Sequence, residues 1–326
     1  MSKPTLIVDG NNVLYRMSYA LLTQSLSVIL DETRVETGPT FLTFKTLVEI
    51  ADEYDAVPLV CWDPESGRGR LQRRKIHKGY KSGREPANEI DRDFHREVTD
   101  QREIVQTILG TAGVFQTRAL KGWEADDVIA RLARQLSRRG REVLILSNDK
   151  DLVPLLALPG VRIVAIGSRK WSQPGERYEV RDEEWVKAQY EGLTPDKWIE
   201  FRSLAGDPSD KVQGVKGIGK VWGVKLVQEY GSALEAVQVA EKAEKALGGY
   251  GLLLDKGGVR RKLLGQTDQV KAARKVLTLN YRAPFEWLSR EGDRKKTQAL
   301  IRRYRFRSFM AGTLRVQLNG LLDAIT

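Results

Sequence analysis

Three short apolar segments of this chain each lead into aspartate. They are Thr5–Val8 before Asp9, Pro58–Trp62 before Asp63, and Val143–Leu146, which Ser147 and Asn148 separate from Asp149 and Asp151. Apolar runs of this length with polar boundaries are typical of buried β-strands. Helical patterns lie between them, and this alternation predicts an α/β fold with a mainly parallel sheet and helices on both faces. Parallel strands bring their carboxyl ends to one edge, so we expect these aspartates to meet there.

Further acids stand where helices begin. Glu124, Asp126 and Asp127 precede an apolar helical stripe, and Asp149 and Asp151 precede a second apolar stretch. Acidic residues cap helices and suit the positive end of the helix dipole, so capping explains part of this pattern. Three acids in four residues exceed what a cap needs, and so do two acids after one strand. The excess predicts a functional cluster.

The bulk composition points to a polyanionic partner. Lys and Arg number 54 against 43 Asp and Glu in 326 residues, a net charge of +11, and such an excess favours nucleic acid over an anionic membrane. No segment approaches the ~20 apolar residues of a membrane span, and the first ten residues do not form a secretion signal. The only cysteine, Cys61, excludes an intramolecular disulfide and fits a reducing cytoplasm.

A basic stretch follows the second strand. It contains eight Lys or Arg and no acid: Arg68, Arg70, Arg73, Arg74, Lys75, Lys78, Lys81 and Arg84. Four glycines interrupt it, which predicts a loop or a partly helical excursion. A solvated surface normally mixes both signs of charge, so a run of one sign favours phosphate contact.

The organisation along the chain predicts two parts. Residues 1–180 hold the strands, with helices expected from Val13 to about Leu30 and from Phe41 to Tyr54. From Arg181 onwards the pattern is wholly helical, and we expect residues 181–326 to form an appended helical region with a basic C-terminal part. About two domains are usual for this length.

A glycine-rich turn lies in the helical part. Gly214–Gly219 follows the acids Asp207 and Asp210, and it has phosphate-loop spacing as far as Lys220. Val221 stands where that loop requires Ser or Thr, and no apolar strand precedes it, which argues against a nucleoside triphosphate site. A turn between two helices fits better, because its backbone N–H groups can approach a DNA phosphate closely.

The carboxylates as a set predict a metal centre. So many acids at one sheet edge could not stay ionised together, since neighbouring like charges raise their pKa values. Two histidines are too few for an ordinary zinc site. Mg²⁺, or Mn²⁺ in its place, takes oxygen ligands, and two such ions ~3.5–4 Å apart can activate water and stabilise the leaving oxygen in phosphodiester cleavage.

Six motifs in order along residues 9 to about 230 resemble the 5′-nuclease (flap endonuclease) family. They are Asp9-Gly10-Asn11-Asn12, Trp62-Asp63, Tyr80-Lys81-Ser82-Gly83-Arg84, Glu124-Ala125-Asp126-Asp127, Ser147-Asn148-Asp149-Lys150-Asp151-Leu152 and Gly206-Asp207-Pro208-Ser209-Asp210. The family includes the 5′–3′ exonuclease domain of bacterial DNA polymerase I and free-standing bacteriophage enzymes. Without a polymerase domain, this chain looks like a free-standing member. The resemblance implies a PIN-like 5′-nuclease fold with a basic arch at about 66–92 and a helix–turn–helix at about 195–230.

The resemblance also implies ligands for two metal ions. Asp9, Asp63, Glu124 and Asp126 would hold the first, with Asp127 close by. Asp149, Asp151 and Asp210 would hold the second, supported by Asp207. Lys81 and Arg84 would act on the scissile phosphate, and Lys150, between two acids, would form a salt bridge instead.

The resemblance implies DNA contacts as well. These would come from the arch residues Arg73, Arg74, Lys78 and Tyr80, and from Gly214, Lys216, Gly217, Gly219 and Lys220 in the helix–turn–helix. In this family the turn often holds K⁺ through backbone carbonyls, here those of Val215 and Ile218.

We therefore expect a structure-specific 5′ nuclease, with 5′–3′ exonuclease and flap endonuclease activity, which acts as a cytoplasmic monomer in a bacterial cell or a phage-infected host. Its partner would be DNA with 5′ ends, flaps or nicks, in replication and repair. One alternative is a PIN-type ribonuclease, which shares strand-end acids but lacks a turn like Gly214–Gly219. The other is a non-catalytic protein that binds branched DNA, and it would bind without cleaving.

Overall fold

The computed structural model describes residues 2–22, 26–65, 72–82, 86–167, 177–245 and 253–325. Its strands are β1 Thr5–Asp9, β2 Ser27–Leu30, β3 Thr33–Glu36, β4 Val57–Trp62, β5 Phe115–Ala119, β6 Val143–Leu146, β7 Val161–Ile166, β8 Tyr178–Arg181 and β9 Phe285–Trp287. Its α-helices are α1 Gly10–Ala20, α2 Gly38–Glu53, α3 Gln72–Ile76, α4 Glu89–Thr111, α5 Ala125–Ser137, α6 Glu183–Gln189, α7 Trp198–Ala205, α8 Lys220–Tyr230, α9 Ala233–Lys245, α10 Val259–Leu263, α11 Thr267–Leu277, α12 Arg294–Arg303 and α13 Gly312–Ile325. None of the helices in these ranges is both long and apolar enough to cross a membrane.

The described strands form one large sheet and one hairpin. The sheet order is β8-β7-β6-β1-β4-β5-β9. Its five inner strands are parallel, and β8 and β9 run antiparallel at the two edges. The prediction of a mainly parallel sheet is confirmed, and the strand ends carrying the acids share one edge.

Helices cover both faces of this sheet. Leu6 and Val8 of β1 belong to one apolar core, formed with α1, α2, α4, α12 and α13. Ile7, between them, belongs to a second core on the opposite face, formed with α5, α7, α8, α9 and α11. Successive strand side chains point to opposite faces, so β1 is buried from both sides. This packing fixes the position of its last residue, Asp9.

The first predicted helix is shorter than expected. It ends at Ala20, and a β-hairpin (β2 and β3) follows where a helix to about Leu30 was predicted, so that prediction is wrong. Asp31 and Glu32 at the hairpin turn both have positive φ angles, 49° and 65°, as a two-residue hairpin turn requires. The β-branched Val28 and Ile29 favour the extended form.

The division at residues 180 and 181 stays a prediction, but the expectation that the chain is wholly helical from Arg181 onwards is wrong. The appended region is helical from α6 to α11, and α7 and α8 form the predicted pair around the glycine-rich turn. Strand β9, however, joins the main sheet beside β5, and α12 and α13 pack on its first face. The last part of the chain therefore returns to the sheet. Three residues of strand, Phe285–Trp287, carried too little pattern to be recognised.

Gly10, the first residue of α1, provides a test of this packing. A Cβ added there would lie 2.6 Å from a ring carbon of Trp62, which is fully buried and bonded through its indole N–H to Gln116. The ring has no room to shift, so we expect Gly10→Ala to destabilise the protein by about 1–3 kcal/mol. Gly320→Ala is the matched control, because nothing lies within 4 Å of its added Cβ in α13, and it should stabilise by up to ~1 kcal/mol. Urea unfolding midpoints measure both, and equal midpoints would contradict the prediction.

Candidate active site

Asp9 lies buried at the end of β1. One carboxylate oxygen accepts a hydrogen bond from the backbone N–H of Asn12 at 3.1 Å, and the other accepts one from the Ser147 hydroxyl at 2.9 Å. Burial raises the pKa of Asp9 to about 7, and the charges of Asp149 and Asp63 add to the rise. Asp9 therefore faces the ends of the neighbouring strands β6 and β4, as predicted.

Asp63 lies just past β4 and connects this strand to α5. Its Oδ1 accepts a hydrogen bond from the backbone N–H of Ala125 at 2.8 Å, so it caps the helix that carries the next acids. Its own backbone N–H donates to Asn11 at 2.9 Å. This one residue thus places the acids of α5 beside those of β1.

Glu124, just before α5, is surrounded by donors. The Lys81 ammonium lies 2.5 Å from one of its oxygens, the Tyr80 hydroxyl donates to the other at 3.1 Å, and Arg73 forms an ion pair with it. Burial alone would raise the pKa of Glu124, but the Lys81 and Arg73 cations hold it at about 2. This carboxylate is ionised and paired with protein cations.

Two other acids lack such compensation. Burial, together with the charges of Asp149 and Asp9, raises the pKa of Asp126 well above its usual range. Burial, with Asp149 and Asp210 nearby, raises the pKa of Asp151 to about 7. With Asp9, these acids form a group that resists simultaneous ionisation. A divalent cation bound to carboxylate oxygens would remove that resistance, so the donor set fits Mg²⁺ or Mn²⁺.

The acids do not form a complete coordination site in this arrangement. In the part of the chain that the structure describes, no three Asp, Glu, His or Cys side chains are placed to hold a single ion. Lys81 is one reason, because its ammonium lies between Glu124, at 2.5 Å, and Asp210, at 3.8 Å. The Lys81 ammonium thus occupies the space between two carboxylates that a bound ion would need.

These raised pKa values predict a pH-dependent stability. The folded-state pKa values of Asp9 and Asp151, about 7, exceed the 3.8 of an exposed aspartate. Such groups stabilise the fold when protonated, so their contribution is complete below about pH 4 and disappears as the pH rises through 7. Glu124 contributes in the opposite sense, because its lowered pKa of about 2 means that it stabilises the fold when ionised. That contribution is already complete near pH 5 and does not change at higher pH.

We therefore expect the metal-free protein to lose at least about 2 kcal/mol of unfolding free energy between pH 5 and 8, since one pKa unit corresponds to about 1.4 kcal/mol. Urea titrations in EDTA measure this loss, and saturating Mg²⁺ at pH 8 should reverse most of it. A stability that is flat or rises over this range would contradict the electrostatic reading of the site.

Two of the predicted metal ligands are engaged elsewhere. Asp127 is paired with Arg73 and accepts a hydrogen bond from the backbone N–H of Asn280 at 2.8 Å. Asp207 is fully buried, forms an ion pair with Arg202, and caps a short turn through Ser209. Both carboxylates hold structural elements together, and the structure does not place them as metal ligands.

The remaining predicted ligands lie around the mouth of the site. Asp149 accepts a hydrogen bond from the backbone N–H of Asp151 at 2.9 Å, so it does cap the 3₁₀ helix Lys150–Ala157. The cap uses one oxygen of Asp149. Asp210 is buried, and its backbone carbonyl accepts a hydrogen bond from the Lys81 N–H at 3.0 Å. Lys150 lies 3.5 Å from Asp207, in the salt bridge expected of it.

Within the predicted arch, residues 72–82 lie folded against the acids. We call it the strap. Arg73 and Tyr80 were expected to contact DNA, but both are turned inward, and Tyr80 is only 3% exposed. The Arg74 guanidinium donates to the backbone carbonyls of Tyr80 and Lys81 and so holds the turn of the strap closed. Lys78 alone of these four is exposed and positioned for an outside ligand. The prediction for Arg84 lies outside the described residues.

The glycine-rich turn presents its predicted residues to solvent. Lys216, Gly217, Gly219 and Lys220 are exposed at the start of α8. Gly214 has a different reason for being glycine, because an added Cβ would lie 2.4 Å from the backbone at Ala205 and Gly206. It allows the turn to pack against the end of α7.

The carbonyls proposed for K⁺ are partly occupied by protein donors. The Val215 carbonyl accepts a hydrogen bond from the Ile218 N–H at 2.9 Å. Beside it, the Lys262 ammonium lies 3.4 Å from the Gly217 carbonyl. A potassium site at Val215 and Ile218 stays a prediction.

Sequence reasoning gave no role to several polar residues that arrange the acids. Asn11 accepts from the Asp63 N–H at 2.9 Å, and Asn12 accepts from the Asn148 N–H at 3.0 Å. Asn148 in turn exchanges two hydrogen bonds with the backbone of Ile166 in β7. Their position directly beside the strand-end aspartates was the available signal. Together they fix the register of three loops around Asp9.

A cleft of about 810 Å³ opens on the acids. Asp9, Asp63, Asp126 and Asp149 lie on one wall, with Lys81 beside them, and α1 and the start of α4 form the other wall. Five of the predicted acids thus line one accessible cavity: Asp9, Asp63, Glu124, Asp126 and Asp149.

Family comparison agrees with this geometry. The model for the 5′–3′ exonuclease N-terminal, resolvase-like domain matches residues 4–191, and the one for the 5′–3′ exonuclease C-terminal SAM fold matches residues 193–299. The chain belongs to the 5′–3′ exonuclease family. The family resemblance predicted from the motifs is confirmed.

Relatives of this 5′–3′ exonuclease-family chain include two bacterial polymerases. The thermostable DNA polymerase I of Thermus aquaticus is 31% identical over 94% of this chain, and the DNA polymerase I of Deinococcus radiodurans is 32% identical over 83%. The chain spans 32% and 25% of their respective lengths.

Solved structures share the fold of this 5′–3′ exonuclease-family chain at low identity. The T5 5′-exonuclease with bound divalent metal ions (zinc) has a TM-score of 0.64 and 16% identity, covering 98% of this chain and 97% of that one. The catalytic core of Rad2 in complex with DNA substrate has a TM-score of 0.57 and 17% identity, covering 93% and 88%. The predicted 5′-nuclease fold is confirmed.

Proposed function

We propose that this chain is a divalent-metal-dependent, structure-specific 5′ nuclease that hydrolyses DNA phosphodiesters near 5′ ends and at flap junctions. The observation that carries the proposal is the group of closely spaced acids at one sheet edge, where Asp9, Asp126 and Asp151 all have raised pKa values. Membership of the 5′–3′ exonuclease family and the divalent ions bound to the T5 enzyme support it.

The residues divide into two groups. Asp9, Asp63, Glu124 and Asp126 line the cleft and would hold one ion. Asp149 at the cleft, with its electrostatic neighbours Asp151 and Asp210, would hold a second. When bound, Mg²⁺ or Mn²⁺ would polarise the scissile phosphate and lower the pKa of the attacking water. Backbone N–H donors on the loops fix the positions of these acids. Asp127 and Asp207 form ion pairs with Arg73 and Arg202 instead and are not proposed as ligands.

Lys81 supplies positive charge at the place of reaction. It is buried and held between Glu124 and Asp210, and the pKa of its ammonium is well above the usual value, because these acids outweigh the effect of burial. These acids therefore favour the charged form of Lys81. A phosphate entering between the two acids would receive this ammonium directly, and charge that develops on its oxygens would be stabilised.

The exposed turn Lys216–Lys220 is the second contact surface for DNA. Its backbone N–H groups and the N-terminus of α8 suit a phosphate of a duplex. Lys216 and Lys220 add exposed positive charge. A duplex held there, with its 5′ strand directed to the cleft, would be cleaved near a junction with single-stranded DNA.

A product map tests the proposed function. Flapped, nicked and single-stranded DNA, each labelled at the 5′ end, are incubated with the protein and Mg²⁺, with an RNA of the same sequence as competitor. We expect short products from the flapped and nicked strands that carry 5′ phosphates where cleavage exposes a new end. Cleavage of RNA in preference to DNA, or tight binding of flaps without any cleavage, would overturn the proposal.

A further inference from the structure

A second cleft lies on the other side of the strap. It has a volume of about 810 Å³ and is lined by residues of α3, α5 and α11 and by the segment 278–282. We call it the rear cleft. Arg73 separates it from the acids, since this side chain lines the rear cleft and also contacts Glu124. The two cavities are thus neighbours that share one arginine.

The rear cleft is strongly basic. Six of its lining residues are Lys or Arg and two are acids, Asp127 and Glu200. Both acids are already neutralised, Asp127 by Arg73 and Glu200 by Arg274 at 2.6 Å. The charge that remains is therefore positive, and it is concentrated in a concave surface.

Three of these cations are available to a ligand. Lys271, Lys275 and Arg282 are exposed on the rim, and none of them forms an ion pair with any acid in the described ranges. Lys271 and Lys275 are four residues apart on α11, so they lie on the same side of the helix. The cleft thus offers a row of positive charge with no acidic partner among the residues that the structure describes.

The walls also suit the faces of bases. The Arg134 guanidinium lies over the Tyr281 ring with its centre 4.2 Å from the ring centroid, and Trp123 is half-buried nearby. Unstacked bases bind to aromatic rings and to arginine planes, and every base has such a face. Bases inside a duplex are stacked on each other and could not enter a concave cleft.

We propose that the rear cleft binds a short stretch of single-stranded nucleic acid, with its phosphates on Lys271, Lys275 and Arg282 and its bases against Tyr281 and Arg134. The volume lies in the range of ordinary small-molecule pockets, ~300–1,000 Å³, so it has room for about two nucleotides. The inference rests on the proposed function in taking nucleic acid as the ligand. It adds a site for the unpaired part of the substrate, next to the acids but outside them.

The test measures binding rather than cleavage. A fluorescein-labelled ten-nucleotide oligo(dT) and a blunt duplex of equal length are titrated by anisotropy in EDTA. The variant with Lys271→Ala, Lys275→Ala and Arg282→Ala should bind the single strand at least tenfold more weakly. The slope of log K against log salt concentration should fall by about 2, as expected for three lost phosphate contacts on a single strand.

Two control variants make the result specific. Lys295→Ala, Arg302→Ala and Arg315→Ala remove three exposed cations elsewhere and should leave affinity unchanged. Lys271→Arg, Lys275→Arg and Arg282→Lys keep the charge and should retain binding. Equal loss in both alanine variants, no loss in either, or an equal loss of duplex affinity would overturn the inference. Failure of the wild-type protein to cleave any DNA would count against the proposed function alone, because this assay needs no cleavage.

Discussion

Asp126→Asn should lower Mg²⁺-dependent DNA cleavage by at least about 10³-fold and should make the metal-free protein more stable. Burial, Asp149 and Asp9 raise the pKa of Asp126 by more than the nearby Lys81 lowers it. Asparagine keeps the shape and removes the charge. The loss of a metal ligand removes electrostatic stabilisation of the transition state, while loss of like-charge repulsion relieves the folded state.

The stability gain is measured by urea unfolding at pH 8 in EDTA, where we expect the unfolding midpoint to rise because a charge that its neighbours disfavour has been removed. Asp196→Asn is the matched control, because it makes the same charge change at an exposed position. It should alter neither cleavage nor stability appreciably. A variant that is inactive and also less stable than the wild type would show that Asp126 is held by contacts rather than strained by charge.

Lys81→Met should lower single-turnover cleavage by about 10²–10³-fold, the usual cost of removing one group that stabilises transition-state charge. The same change should destabilise the metal-free fold by about 3 kcal/mol, because removing one partner of a buried ion pair leaves a buried charge without its counterion. Glu124 would keep Arg73 and the Tyr80 hydroxyl, so the fold should survive.

Lys78→Met is the control for this variant, since Lys78 lies in the same turn of the strap but is exposed. It should retain cleavage within about tenfold and the stability of the wild type within ~0.5 kcal/mol. Rates at saturating enzyme and urea midpoints in EDTA measure both quantities. Equal rates for the Lys78 and Lys81 variants would remove Lys81 from the catalytic machinery.

The sequence was sufficient to predict which strand ends bring their aspartates together at the site. Asp9 and Asp63 follow buried strands of a parallel sheet, and one edge of such a sheet collects all their carboxyl ends. The two aspartates after β6 were recognisable because one cap needs only one carboxylate. Periodicity and strand polarity are local properties, and they were enough.

The pairing of charges inside the site was not predictable. Asp127 carries the same motif signal as Asp126, yet Arg73 and the Asn280 N–H take up its oxygens. Asn280 lies more than 150 residues later in the chain, so no local sequence pattern predicts this contact. The inward position of Tyr80 has the same origin, because it depends on α11, Val212 and Glu124 packing around the strap.

The end of the chain shows a different limit. Basic clusters between residues 294 and 303 led us to expect a basic end to the appended helical region. Half of the residues of α13 are apolar, and Ile301 of α12 and Leu318 of α13 are buried against the sheet. Charge density was the more visible feature of that sequence, whereas burial of a few side chains decided where it packs.

We propose above all that the acids at the sheet edge bind divalent ions and that the bound ions support hydrolysis of DNA. The most direct measurement uses one 5′-labelled flap substrate with wild type in Mg²⁺, wild type in EDTA and Asp149→Asn in Mg²⁺, each at saturating enzyme. We predict a short labelled product from the first reaction and none above background from the other two. Equal cleavage by wild type and Asp149→Asn, or cleavage that persists in EDTA, would contradict the claim.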